Sequence, residues 1–255
     1  MSRLQLDKLS GVKVSAKHLS ELERLVKVID AELDEYVASV SVYGSAARGE
    51  WDASTSDINV LVLLESSHFD SLGRVGQAFA RARKRARVVP MVMTVDELQR
   101  ASDVFCVKFA SIKQDHVCVL GRDLLEGLEI EDDAVRFVCE FQLRNVVMRM
   151  RQFYLQNFGA SRLEQALLMR FFSTTLFPLR ALAVLRGHAP GPRVFSDFRE
   201  IERALDVDTG VLARLARVHR DGNKLADAEL MELYEGFNAL VQRAADVADR
   251  HESSR

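Results

Sequence analysis

Cysteine is scarce in this 255-residue chain, and the little there is forms no pattern. Cys106, Cys118 and Cys139 are unevenly spaced, make no CxxC and have no histidine at ligand spacing. That argues against a zinc framework and a disulfide scaffold, and makes a reducing compartment the default. Net charge is also lacking: the formal value is −2. Broad binding to nucleic acid or to a membrane surface is therefore not expected, although a local cluster could hold a phosphate. The opening MSRLQLDKLSGVKVS lacks the apolar core of a secretory signal. No apolar stretch reads as long enough for a membrane span. A cytoplasmic location without a membrane partner is the expectation. Repeats and low-complexity segments are missing too. What is present is a 48% hydrophobic content, enough to bury one large core or two modest ones.

The most informative stretch is VASVSVYGSAARGEWDASTSDINVLVLLE, Val37 to Glu65. VASVSVY alternates as a half-buried strand does, and VLVLL reads as a strand covered on both faces. Between them, Gly44 allows a backbone or a phosphate to approach where a Cβ would clash. Ser45 offers a hydroxyl, and a helix starting at Ala46 would present free N–H groups to an anion. Asp57 and Asn59 are two residues apart, so on a strand their side chains share a face. The pattern thus predicts a phosphate cradle beside a pair of oxygen ligands.

Around this stretch the chain reads as two halves. Ser20–Tyr36 is an amphipathic helix, with Leu22, Leu25, Val26, Ile29 and Leu33 at helical spacing. Phe69–Arg87 is a second helix with a basic end, Arg81, Arg83, Lys84, Arg85 and Arg87; such an end is ordinarily a solvated complement to the helix dipole, with a polyphosphate or RNA contact as the alternative. Val88–Thr94 is a strand that Pro90 assigns to an edge or bulge. Thr94 and Glu97 form a capping box for a short helix, Val95–Ala101. Asp103–Leu120 resists assignment apart from a strand at Val117–Leu120. From about residue 130 long helical periodicities take over: Asp132–Gln156, Arg162–Leu185 with Pro178 inside, Phe198–Leu205 behind a box of Asp197 and Glu200, Asp208–His219 and Asp227–Arg250. The predicted class is α+β, a small mixed sheet in residues 1–128 followed by an α-helical bundle in 129–255. The apolar helix ending at Leu185 permits a homodimer.

Gly44-Ser45, then ten residues, then Ser56-Asp57-Ile58-Asn59 resembles the signature of the DNA polymerase beta-like nucleotidyltransferase superfamily, G-S followed by S-D-x-D. The surrounding YGSAARG is similar to the small bacterial members and to the aminoglycoside nucleotidyltransferases. By element order, the two halves resemble the kanamycin nucleotidyltransferase family. The resemblance implies a nucleoside triphosphate as substrate or ligand, an acceptor that the sequence does not identify, and Mg²⁺. It assigns Gly44, Ser45 and Arg48 to the phosphates, Asp57 and Asn59 to metal and catalysis, and a carboxylate of the helical half, here Glu140, to general-base work.

The chain departs from that family pattern where the metal chemistry is done. Two-metal nucleotidyl transfer needs several carboxylates to hold Mg²⁺ ions ~4 Å apart. Asp57 matches the first, Asn59 offers only a neutral carbonyl oxygen, and Ala86–Val95 contains no acid for the third. Activity is therefore in doubt, and Mg²⁺ would arrive with the nucleotide. Three readings stay open: nucleotidyl transfer with altered metal ligation, a non-catalytic nucleotide-binding regulator or scaffold, and a ribonuclease in the helical half built on Arg214 and His219. Each candidate has a plainer reading as well. Gly44-Ser45 can be a tight turn, Asp57 a loop anchor, Glu140 an i,i+4 partner of Arg144, and the Arg214/His219 spacing a coincidence in an arginine-rich chain.

Overall fold

The computed structural model describes residues 3–54, 56–66, 68–157, 164–191, 193–195 and 197–250. The chain divides into two compact units, Met1–Phe105 with Phe109–Glu129, and Cys106–Lys108 with Ile130–Arg255.

In the first unit, a short 3-10 turn over Leu6–Gly11 precedes helix α1 (Ala16–Glu32), which buries Leu22, Leu25, Val26 and Ile29. Strand β1 (Val37–Tyr43) follows, then the one-turn helix α2 (Ser45–Arg48) and strand β2 (Ile58–Leu64). Helix α3 (Phe69–Ala86) leads back to strand β3 (Val88–Thr94). Helices α4 (Val95–Arg100) and α5 (Cys106–Gln114) come before strand β4 (His116–Gly121). The sheet order is β3-β2-β1-β4, with β1 antiparallel to both neighbours and β2 parallel to β3. The parallel pair needs a crossover, and α3 supplies it. Pro90, which has no N–H to give, lies on the outer strand β3. One face of the sheet carries Val40, Val42, Ile58, Val60, Val62 and Val88 into a core with α1 and α3.

The Thr94/Glu97 capping box forms: the Glu97 N–H donates to Thr94 Oγ1 at 3.0 Å, and the Thr94 N–H donates to Glu97 Oε2 at 2.7 Å. Helix α5 lies in the segment that the sequence left unassigned. Its apolar residues do not line up on one stripe, so its periodicity carries no signal.

The second unit holds helices α6 (Asp132–Gln156), α7 (Gln165–Leu185), α8 (Arg199–Leu205), α9 (Gly210–Asp221) and α10 (Asp227–Asp249). Its core joins Leu143, Met150, Phe172, Leu176, Leu212 and Phe237. Two expectations need correction. The predicted box before α8 is absent: Asp197 accepts from the Arg199 N–H and guanidinium, while Glu200 turns to His188 at 3.0 Å and Arg203 at 2.7 Å. Second, α7 is long and apolar enough to cross a membrane by length and composition, contrary to the sequence reading; 56% of its most apolar window is buried inside the structure. Arg162, where that helix was expected to begin, and Pro192 of the following loop lie outside the described residues.

Candidate active site

β1 delivers the chain to Gly44, whose φ of 78° and ψ of −144° suit glycine and strain any residue with a Cβ. The next four residues make α2, and Gly49 closes it in the left-handed region. The N–H groups of Ala47 and Arg48 both donate to the Gly44 carbonyl, at 3.0 and 2.9 Å. Those of Ser45 and Ala46 come too early to have an intrahelical acceptor. One turn carries little macrodipole, so what the turn offers an anion is two N–H donors and the Ser45 hydroxyl. Its position is fixed from outside: the Gly44 N–H donates to the Asp115 carbonyl at 3.3 Å, and the Lys13 N–H to the Ala46 carbonyl at 2.8 Å.

Register brings Asn59 to this turn. Tyr43 pairs with Asn59 across β1 and β2, so both side chains stand on one face of the sheet, opposite to α1 and α3. A Cβ placed on Gly44 would lie 3.5 Å from Asn59 Nδ2. The half-buried Asn59 amide has no hydrogen-bond partner among the described residues. Burial pushes the Tyr43 phenol above its usual pKa, so it is a neutral neighbour.

Asp57 is placed differently from the expectation. β2 begins at Ile58, so Asp57 is the last loop residue and not a strand residue sharing a face with Asn59. Its Oδ1 accepts from Arg87 Nε at 3.0 Å, both side chains being about half exposed. Arg87 also donates to the Ser54 carbonyl at 2.9 Å, and its own carbonyl accepts the Ile58 N–H at 3.1 Å. Arg87 therefore fastens the 52–57 loop to the end of α3. Thr55 of that loop lies outside the described residues.

Arg48 turns away from the open side of the turn. Its side chain is 7% exposed and lies 3.4 Å from Glu50 and 3.7 Å from Asp115, so it serves the packing of the turn. Acids that could complete a metal site are likewise engaged. Asp96 holds Arg100 at 3.0 Å, and Glu97 is spent in its capping box. Among the described residues, no three His, Cys, Asp or Glu side chains gather. One carboxylate held by an arginine, plus one neutral amide, is a poor donor set for a pair of hard dications. The residues present do not fit a resident two-Mg²⁺ centre.

Glu140 belongs to the helical unit, clasped between Arg144 at 2.8 Å and Arg136 at 3.4 Å. Arg144 reaches on to Asp246 and Asp249 of α10, and these acids, with the Glu140 bond first, raise its pKa. Arg214 is paired to Glu232 at 2.6 Å, whereas His219 stacks on Phe195 with ring centroids 5.0 Å apart. The two residues of the ribonuclease spacing thus have different partners.

Two residues that the sequence does not assign to the site shape it. Arg87 had only a charge cluster to announce it, and Asp115 lies in the unassigned segment. Neither has a local motif, because each acts across the sheet.

A glycine-serine turn at the end of one strand thus faces the first residues of the next. Residues 17–139 match the family model of the nucleotidyltransferase domain. The match supports nucleotidyltransferase-superfamily membership and spans the sheet, its helices and the first turns of α6. No curated protein matches the chain.

Proposed function

We propose that this nucleotidyltransferase-superfamily protein binds a nucleoside triphosphate at the Gly44-Ser45 turn, and does so without the superfamily's two-metal transfer step. The Ser45 hydroxyl and the Ser45 and Ala46 N–H groups receive phosphate oxygens, and Asn59 donates its amide from the adjoining strand. The observation that carries this reading is the approach of Asn59 to Gly44, 3.5 Å from where a Cβ would stand. It puts a neutral donor where the superfamily pattern has a carboxylate, which favours phosphate over metal at that position. Mg²⁺ enters, on this reading, as the nucleotide's own counter-ion, with the triphosphate supplying most of its charge compensation. The engagement of Asp57 by Arg87 supports the same conclusion. The protein then acts as a nucleotide-responsive binder, and its acceptor chemistry is vestigial.

The test is thermal melting with ATP, GTP, CTP and UTP at 5 mM. A Kd of about 0.5 mM stabilises by RT ln 11, ~1.4 kcal/mol, a shift of several degrees. Ser45→Ala should remove most of that shift while leaving the unliganded melting temperature in place. Absence of a shift with every triphosphate overturns the proposal.

A further inference from the structure

Outside this site, the strongest unexplained feature is the outer surface of α1 and α3. From Gln77 to Arg87 the chain reads QAFARARKRAR, without one acid. Val75, Phe79, Ala82 and Ala86 face the core. At 100° per residue this turns Arg81 and Arg85 toward one flank, Lys84 to the crown and Arg83 to the other flank. On the first flank stands Glu21 of α1, 9% exposed, with Arg81 at 3.6 Å and Arg85 at 3.5 Å. Lys17 and Arg24 share the side of α1 on which Glu21 lies, and both are exposed. Arg81 and Arg85 therefore flank one buried carboxylate while Lys17, Arg24 and Lys84 extend the basic surface around them, and among the described residues no acid pairs with Arg83 or Lys84. Six of the chain's 35 lysines and arginines lie on this one surface.

The topology says where that place is. β2 runs away from the Gly44 turn, α3 runs back, and β3 starts beside β2, Val88 pairing with Ile58. The basic end of α3 thus lies at the same end of the sheet as Gly44, Asn59 and Asp57, with the Asn59 side chain on the opposite face. The cations extend over about 10 Å of α1, from Lys17 to Arg24, and about 6 Å of α3, too broad for one triphosphate. Next to Lys17, His18 meets Trp51 edge-on, ring centroids 4.6 Å apart. Spread cations with an aromatic pair at their margin suit a flexible phosphate chain carrying bases that can stack.

We propose that the α1/α3 surface binds single-stranded RNA, the single-stranded polyanion most abundant in cells. Arg81, Lys84 and Arg85 meet successive phosphates, Lys17 and Arg24 extend the track along α1, and Arg83 receives the strand where it passes over the crown of α3 to the other flank. The inference does not rest on nucleotide binding at Gly44-Ser45.

The experiment is fluorescence anisotropy of a labelled 15-nucleotide oligouridylate titrated with the full chain from 25 to 200 mM salt. The expected result is micromolar binding at low salt. The double variant R83E/K84E should bind at least tenfold more weakly and lower the slope of log K against log salt by about 1.4, two phosphates at ~0.7 each. Its melting temperature and its ATP-induced shift should equal those of the wild type. Reversing two exposed cations of the helical unit, R217E/K224E, should change little. R83A/K84A gives the same ordering if the glutamates disturb folding. Three results overturn the proposal: no binding at 25 mM salt, equal losses in both double variants, or binding to inorganic polyphosphate of matched charge as tight as to RNA.

Discussion

Asn59→Asp restores the acid of the superfamily signature with almost no change in volume, and its effect depends on what the turn holds. The replaced amide is half-buried, with its nitrogen 3.5 Å from where a Gly44 Cβ would stand. A phosphate on the Ser45 donors would put its charge roughly 5 Å from the new carboxylate. Coulomb's law at an effective dielectric of ~20 gives about 3 kcal/mol for unit charges at that distance. Partial exposure and salt screening reduce this to about 1–2 kcal/mol. Without Mg²⁺ the new charge repels the triphosphate, so affinity should fall about 5- to 30-fold. With saturating Mg²⁺ the carboxylate gains a dication to hold, and affinity should recover or exceed that of the wild type. The assay is isothermal titration of ATP into both proteins in EDTA and in 5 mM Mg²⁺, with melting curves of the unliganded proteins alongside. A Mg²⁺ dependence that widens by at least tenfold in the variant is the expected outcome. The variant is not expected to gain nucleotidyl transfer, because among the described residues no third carboxylate joins the site. Equal affinities in both buffers for both proteins, with a lower melting temperature for the variant, would refute the reasoning.

Arg48→Met should lower stability by about 1–2 kcal/mol, by removing the buried guanidinium that Glu50 and Asp115 share; the ATP-induced melting shift should survive, whereas its loss would return Arg48 to the phosphates. Arg87→Ala should cost under about 1 kcal/mol, because its pair with Asp57 is exposed, and should speed amide exchange over residues 52–57. Gly121→Ala should abolish soluble folded protein, since its Cβ would fall 2.0 Å from the Ala38 carbonyl oxygen at a φ of +76°. Burial pushes the thiols of Cys118 and Cys139 up, and Cys106 is also buried, so a thiol reagent at pH 8 should label none of the three before unfolding. The same shift has a sign: above about pH 9 the unfolded thiols ionise while the native ones keep their protons, so stability should fall by up to ~1.4 kcal/mol per pH unit per thiol. A rise in stability across that range would contradict it.

Much of this architecture was legible because it is local. Alternation marked β1, a continuous apolar run marked β2, Pro90 marked an outer strand and Thr94 with Glu97 marked a helix start. Each is a contract between residues at most a few positions apart. The site was legible only in part, for the opposite reason. That Asn59 meets Gly44 follows from strand register, which the Gly-Ser and Ser-Asp-x-Asn spacing encodes. That Asp57 is held by Arg87, thirty residues away, is written in no periodicity. Nor is the burial of Arg48 between Glu50 and Asp115, which needs the unassigned α5–β4 segment to come round to the turn. The box predicted at Asp197 failed because His188 and Arg203 compete for Glu200.

The central claim is that a triphosphate sits on the Gly44-Ser45 turn beside Asn59, and hydrogen–deuterium exchange with and without ATP addresses it most directly. The account predicts slowed exchange confined to amides between Tyr43 and Asn59, strongest at Ser45 and Ala46, whose N–H groups have no helical acceptor to slow them in the free protein. Protection in the helical unit alone, or none anywhere at millimolar ATP, would contradict it.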